Sequence, residues 1–202
     1  MWWALGIGLV LYLFYLASQH NLQREAEALQ IEHDIALQAL DKLCTKLDEG
    51  SIHGAQLQAK KLAEHSRYGR DLARAVQVIY ESLHLVRSTR NRDTLLSRLG
   101  VARKTLADAR DEYPGWISDE LAGRIESQLA LAASDSLVRI ALASFASALE
   151  KADAAKTDKT REKRLQAALA DLDQAVAHPE LAPSGRAALI AAAEPLRPLP
   201  SA

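Results

Sequence analysis

MWWALGIGLVLYLFYLASQHNLQREAEALQIEHDIALQALDKLCTKLDEG, residues 1–50, decides the fold. No proline interrupts it, and no glycine falls between Gly8 and Gly50. Residues 1–17 carry no charged side chain. A helix of that length rises ~1.5 Å per residue and spans roughly 25 Å, just under the hydrocarbon thickness of a bilayer. From Leu22 the pattern changes. Leu22, Ala26, Leu29, His33, Ala36, Leu40, Leu43 and Leu47 follow one another at spacings of four and three. That alternation is a heptad seam of almost four repeats. Ile31 and Ile35 widen the apolar face, so the same stretch also suits one helix of a bundle. The expectation is a single helix from Trp2 to about Leu47, stopped by the Asp48-Glu49-Gly50 turn. His33 falls on the seam, as a polar register residue or a pH-sensitive contact.

Three readings compete for residues 1–17. A cleaved signal peptide needs a basic start and small residues before the cut. Here no Lys or Arg precedes the apolar run, and cutting after Ala17 would place Tyr15 at the −3 position. A buried core helix would be shorter or amphipathic. An uncleaved transmembrane anchor over residues 1–18 fits best. Trp2 and Trp3 suit the interfacial aromatic belt at one end, and Tyr12 and Tyr15 approach the other. Arg24, Lys42 and Lys46 follow on the distal side, so positive-inside bias places the C-terminal part in the cytoplasm. Ala4 and Gly8 form a small-xxx-small pair through which two spans can approach.

Beyond the anchor, charge is unevenly spread. Residues 18–50 hold three basic and seven acidic groups, net −4. Residues 51–110 hold twelve and five, net +7, and residues 111–202 hold ten and fourteen, net −4. A basic middle between acidic flanks either pairs with them or meets phosphates or an acidic partner. Alanine and leucine dominate the apolar set, which points to helices packed through small residues. The single cysteine, Cys44, excludes a disulfide framework within the chain and sits on an apolar helical face as a small core residue.

The remainder reads as successive helices. Ser51 can cap a second helix over 51–66, with a short break at Tyr68-Gly69. A third follows over 71–88, carrying Leu72, Val76, Ile79, Leu83 and Val86. Residues 88–92 form a polar loop, with Asp93 as N-cap of the fourth helix. That helix carries Leu95, Leu99, Ala102, Leu106 and Ala109, and stops at Tyr113-Pro114-Gly115. Ser118, Asp119 and Glu120 open a fifth helix, which either runs unbroken to Ala155 or is interrupted near Ser134-Asp135-Ser136; a break or bend there is favoured. A sixth covers 159–177, with Leu165, Leu169, Leu172 and Val176, and ends at His178-Pro179. A short alanine-rich helix over 184–193 precedes a Pro-rich tail, 195–202.

Leu95, Leu99, Ala102 and Leu106 match Leu165, Leu169, Leu172 and Val176 at a constant offset of seventy residues. Each set follows a polar break and an earlier apolar helix, which suggests stacked hairpins. In style this resembles tetratricopeptide-type repeats, through LADARDEYPGW (106–116) and LADLDQAVAHPEL (169–181), loosely over residues 70–180. The resemblance implies antiparallel helical hairpins.

Motifs that carry chemistry are sparse. There is no Gly-rich phosphate loop and no H-E-x-x-H. Glu81 and His84 match one Glu-x-x-His unit of di-iron bundles, but no second unit exists. Asp41, Cys44 and Asp48 share a helical face without a nearby helical His, short of a zinc set. Arg87, Arg90, Arg92, Arg98, Arg103, Lys104 and Arg110 form a candidate basic contact patch, suited to phosphates without sequence preference.

The expectation is therefore an all-α protein: an anchor over 1–18, a heptad stalk helix over 19–50, and helical hairpins over 51–194, as a bundle or a short tetratricopeptide-like solenoid. It is a single-pass inner-membrane adaptor for a protein partner, with no catalysis, cofactor or metal. Self-association through the span or the seam is a second expectation. One alternative is an extracytoplasmic factor of the inner-membrane spanin type, a family that also has an N-terminal anchor and helical stalk. Another is a tethered binder of nucleic acid or anionic lipid through the basic 60–110 segment, nucleic acid being the less favoured partner.

Overall fold

A computed structural model describes residues 2–196, with side chains throughout that range except those of residues 2–17 and His20. Seven α-helices and one 3-10 turn account for nearly all of it, and no strand occurs among the described residues. The helices are α1 (Trp2–Asp48), α2 (Ile52–His65), α3 (Gly69–Ser88), α4 (Arg92–Glu112), α5 (Asp119–Asp153), α6 (Asp158–Val176) and α7 (Pro183–Ala193). Internal packing divides the chain into two units, Met1–Val76 and Gln77–Ala202, with the boundary inside α3.

In the first unit the expected unbroken helix is present, running from Trp2 to Asp48. The aromatic positions Trp2, Trp3, Tyr12 and Tyr15 lie outside the described side chains. Gly50 ends the helix with φ +69°, a left-handed conformation that only glycine adopts without strain. The Gly50 amide donates to the Leu47 carbonyl at 3.1 Å and the Ser51 amide to the Lys46 carbonyl at 2.8 Å. These two bonds are the Schellman closure, which satisfies carbonyls that the helix end leaves open. The chain then turns back, and α2 packs along the C-terminal part of α1. Ser51 does hold the N-cap position of α2, but its side chain makes no capping bond, contrary to the expected cap.

The seam is covered over half its length only. Ala36, Leu40, Leu43 and Cys44 are buried, with Ala55 and Leu62 of α2 and Leu72, Ala73 and Val76 of α3 also in the core. Leu22 and Leu29, on the same stripe higher up, remain 63% and 67% exposed. The physical reason is length: α2 has 14 residues, about 21 Å of helix, and cannot reach the upper seam.

In the second unit α5 packs against α4, α6 and α7. The expected stripe of α4 is wholly buried: Leu95, Leu99, Ala102, Leu106 and Ala109. Two local expectations are corrected. Asn91, not Asp93, caps α4, its side chain accepting from the Thr94 amide at 2.9 Å. Asp93 instead stands in the first turn, where its charge meets the positive helix end. There is also no break at Ser134-Asp135-Ser136, because α5 continues through all three. Ser134 and Ser136 are both buried. Ser134 Oγ accepts from the Ala182 amide at 3.0 Å, supplying the cap that α7 lacks at its own N-terminus. Ser118 caps α5 as expected, accepting from the Leu121 amide at 3.1 Å.

Among the described residues α5 is the one helix long and apolar enough to cross a membrane, by length and composition alone. It serves the second unit as the central packing helix, with Leu121, Ile125, Leu129, Ala133 and Leu137 buried and Asp135 and Arg139 exposed. The seventy-residue offset does not carry equal burial. The α4 set is fully covered, whereas in α6 Ala168 and Leu172 are buried and Leu165, Leu169 and Val176 only half-buried. The tail begins with a 3-10 turn, Glu194–Leu196, and residues 197–202 lie outside the described residues.

Candidate functional site

Among the described residues of the second unit, α5 helps to build two concavities. The first is a groove of about 260 Å³ between α5, α6 and α7. Its floor is apolar: Leu137, Ile140, Phe145, Leu172 and Leu189. Alanines 141, 148, 168 and 175 keep it open, because a larger side chain at any of them would fill it. Polar groups stand around it: Arg92 at the start of α4, Ser144 of α5, Asp171 and Gln174 of α6, and His178 just beyond α6.

His178 is the best-defined of these. Its Nδ1 accepts from the Glu180 amide at 3.2 Å, which leaves Nε2 as the protonated nitrogen of the neutral ring. Its affinity for a proton is lowered, first by burial and then by the nearby Arg92 charge, with Glu180 partly opposing both. Arg92 and His178 thus give the groove a neutral imidazole and a guanidinium over an apolar floor. This is the chemistry of a site that takes an apolar side chain and a carbonyl or carboxylate beside it.

The second concavity, about 270 Å³, runs along α4 and α5 and is strongly charged. Arg103 organises it. Its guanidinium grips Glu180 with both ends, Nη1 to Oε1 at 2.6 Å and Nη2 to Oε2 at 3.0 Å, while Nε donates to Glu126 at 3.2 Å. The Arg103 hydrogen bond holds the Glu180 carboxyl below its ordinary range against the opposing effect of burial, and Glu180 in turn raises Arg103. Arg110 pairs with Asp119 at the same edge.

These bonds place the seven candidate basic residues. Arg103 and Arg110, seven apart on one face of α4, do share a surface, but that surface is lined by Glu126, Glu180 and Asp119. Arg92 belongs to the apolar groove. Arg87, Arg90, Arg98 and Lys104 are exposed. A further arginine, Arg139 of α5, donates to the carbonyls of Arg87 at 2.8 Å and Thr89 at 3.0 Å, closing the C-terminal end of α3. Glu81 and His84, the lone di-iron-like pair, are both exposed on α3.

Sequence reasoning passed over His178 and Glu180, reading His178-Pro179 only as a helix stop. The signal was available in part: a histidine and a glutamate flank a proline where a helix ends. What they face is a matter of tertiary packing. No family model, curated protein or solved structure matches this chain.

Proposed function

We propose that this protein is a non-enzymatic adaptor, tethered to the inner membrane by residues 1–17, whose second unit receives an apolar segment of a protein partner. The observation that carries this reading is the continuity of α1 from Trp2 to Asp48. The charge-free run and the stalk are one helix, so the tether and the first unit turn together. The alanine-lined groove supports the second half of the reading, because it offers an apolar floor with Arg92 and His178 at its edge. Positive-inside bias favours a cytoplasmic C-terminal part. A second reading draws on the exposed Arg87, Arg90, Arg98 and Lys104, which suit phosphate groups on anionic lipid better than base edges, since no aromatic side chains interleave them.

Alkaline carbonate extraction and reporters fused to the C-terminus test the tether. The expected result is retention in the membrane pellet with activity of the cytoplasmic reporter. Release by carbonate overturns the anchor, and activity of a periplasmic reporter favours the spanin-type alternative. For the groove, Ala141→Trp fills the floor and should abolish partner cross-linking from a photoreactive residue at position 174.

A further inference from the structure

The upper half of the seam is left uncovered by this chain, and its residues specify what covers it. We propose that Leu22, Ala26, Leu29 and His33 pair with the same residues of a second copy, in parallel and in register, as a short two-stranded coiled coil. Leu22 and Leu29 occupy d positions, Ala26 and His33 a positions. Leu22 and Leu29 are 63% and 67% exposed, and Ala26 is exposed between them. His33 is half-buried at the point where the seam passes under α2. Below it the same stripe is occupied by α2, so pairing stops there and the two hairpins diverge. The small Ala26 at a allows the close approach typical of two strands.

Charge settles the direction. The g positions are Glu25 and Glu32, and the e positions are Gln23, Gln30 and Leu37. In a parallel pair g faces e′, so within the paired stretch Glu25 meets Gln30 of the second copy, with no like charges opposed. Gln30 is already oriented by a bond from its Nε2 to Asp34 Oδ1 at 3.2 Å. An antiparallel pair would set g against g′ and bring glutamates together, which is unfavourable. Ile31 does not widen the apolar face as expected: it is 59% exposed and lies on the opposite side of the helix, outside the seam. The inference goes beyond the tether. A tether would add parallel orientation and a raised effective concentration, which a pair of under two heptads needs.

The test is disulfide cross-linking of the full-length chain in mild detergent, in a Cys44→Ala background, with folding verified by circular dichroism. Leu22→Cys, Ala26→Cys and Leu29→Cys are each oxidised, with Ile31→Cys as the outward control. The expected result is a product of twice the chain mass at all three seam positions, at least about fivefold above Ile31→Cys. Glu25→Lys with Glu32→Lys should leave the Ala26→Cys product in place, whereas Leu22→Arg with Leu29→Arg should remove it. Cross-linking only between Ala26→Cys and Leu29→Cys chains in a mixture would show antiparallel pairing, in which a lies opposite d′, and overturn the proposal. So would products no more abundant than at Ile31→Cys, or a product of another mass. The pattern decides the seam whichever cell fraction holds the chain, so carbonate extraction reads the tether separately.

Discussion

Gly69→Ala tests the packing of the first unit most sharply. Gly69 opens α3 and lies against the end of α2. A Cβ added there would stand 2.1 Å from the Leu62 carbonyl oxygen, 2.4 Å from its carbon and 2.7 Å from the Ala63 Cα. Ordinary non-bonded contacts lie near 3.5 Å, so the start of α3 must withdraw from α2 by more than about 1 Å. All three obstructing atoms are backbone and belong to a hydrogen-bonded helix, so no side-chain rotation relieves them. Overpacking typically costs ~1–3 kcal/mol, and this geometry belongs at the upper end. For a unit of this size each kcal/mol moves the midpoint by ~4–8 °C, so a fall of about 10 °C or more is expected. Gly100→Ala and Gly123→Ala are the controls. Both sit in helices with nothing within 4 Å of the added atom, so each should stabilise by ~0.5–1 kcal/mol. Thermal unfolding followed at 222 nm reads all three, and amide exchange at Leu40 and Leu43 assigns the loss to the first unit. A Gly69→Ala midpoint within about 2 °C of the parent, where ~10 °C is expected, would refute the packing argument.

Four further outcomes concern the second unit. Ser134→Ala should cost ~1–3 kcal/mol, because it leaves the part-buried Ala182 amide without its acceptor; chemical denaturation of the variant measures this. Asn91→Ala should cost ~1 kcal/mol while Asp93→Ala costs less than half of that, since only Asn91 bonds the Thr94 amide; equal losses would contradict the cap assignment. Glu180 has its carboxyl held below the ordinary 4.5, so its stabilising contribution is complete above that pH and is lost as pH falls through the folded value. Glu180→Gln should flatten this part of the acid limb, and after solvent screening the effect is about 1 kcal/mol or less. His178 is also lowered from its ordinary 6.5, so its contribution is present above that pH and fades as the solution is acidified. Removing the neighbouring charge with Arg92→Leu should move the His178 titration upward in an NMR series, whereas burial alone would leave it in place.

Periodicity was enough to establish the helical class and the residues that α4 buries. Leu95, Leu99, Ala102, Leu106 and Ala109 recur at three and four, and a helix can hide such a stripe only by packing it. The uninterrupted α1 was legible for the same reason: without proline or an internal glycine, nothing in residues 9–49 stops a helix. Hydroxyl residues were less legible. Ser134-Asp135-Ser136 has the composition of a turn, yet the helix continues through it and Ser134 is buried against the start of α7, where it accepts from the Ala182 amide. Gly185 marks the same approach, since a Cβ there would meet Val138 at 2.8 Å.

Sequence by itself determined that the chain is helical, that residues 1–17 are free of charge, and that a heptad seam begins at Leu22. These properties depend on neighbours three or four residues away. Tertiary structure alone decided which half of that seam is covered, because the limit is the length of α2. It alone placed Arg103 against Glu126 and Glu180, 23 and 77 residues distant, and so turned part of a basic run into an internal ion-pair network. It also made the groove, since Arg92, Phe145, Leu172, His178 and Leu189 converge only when four segments of the chain have packed around α5. Spacing along a chain fixes which face a residue occupies; what that face meets depends on contacts that no local pattern encodes.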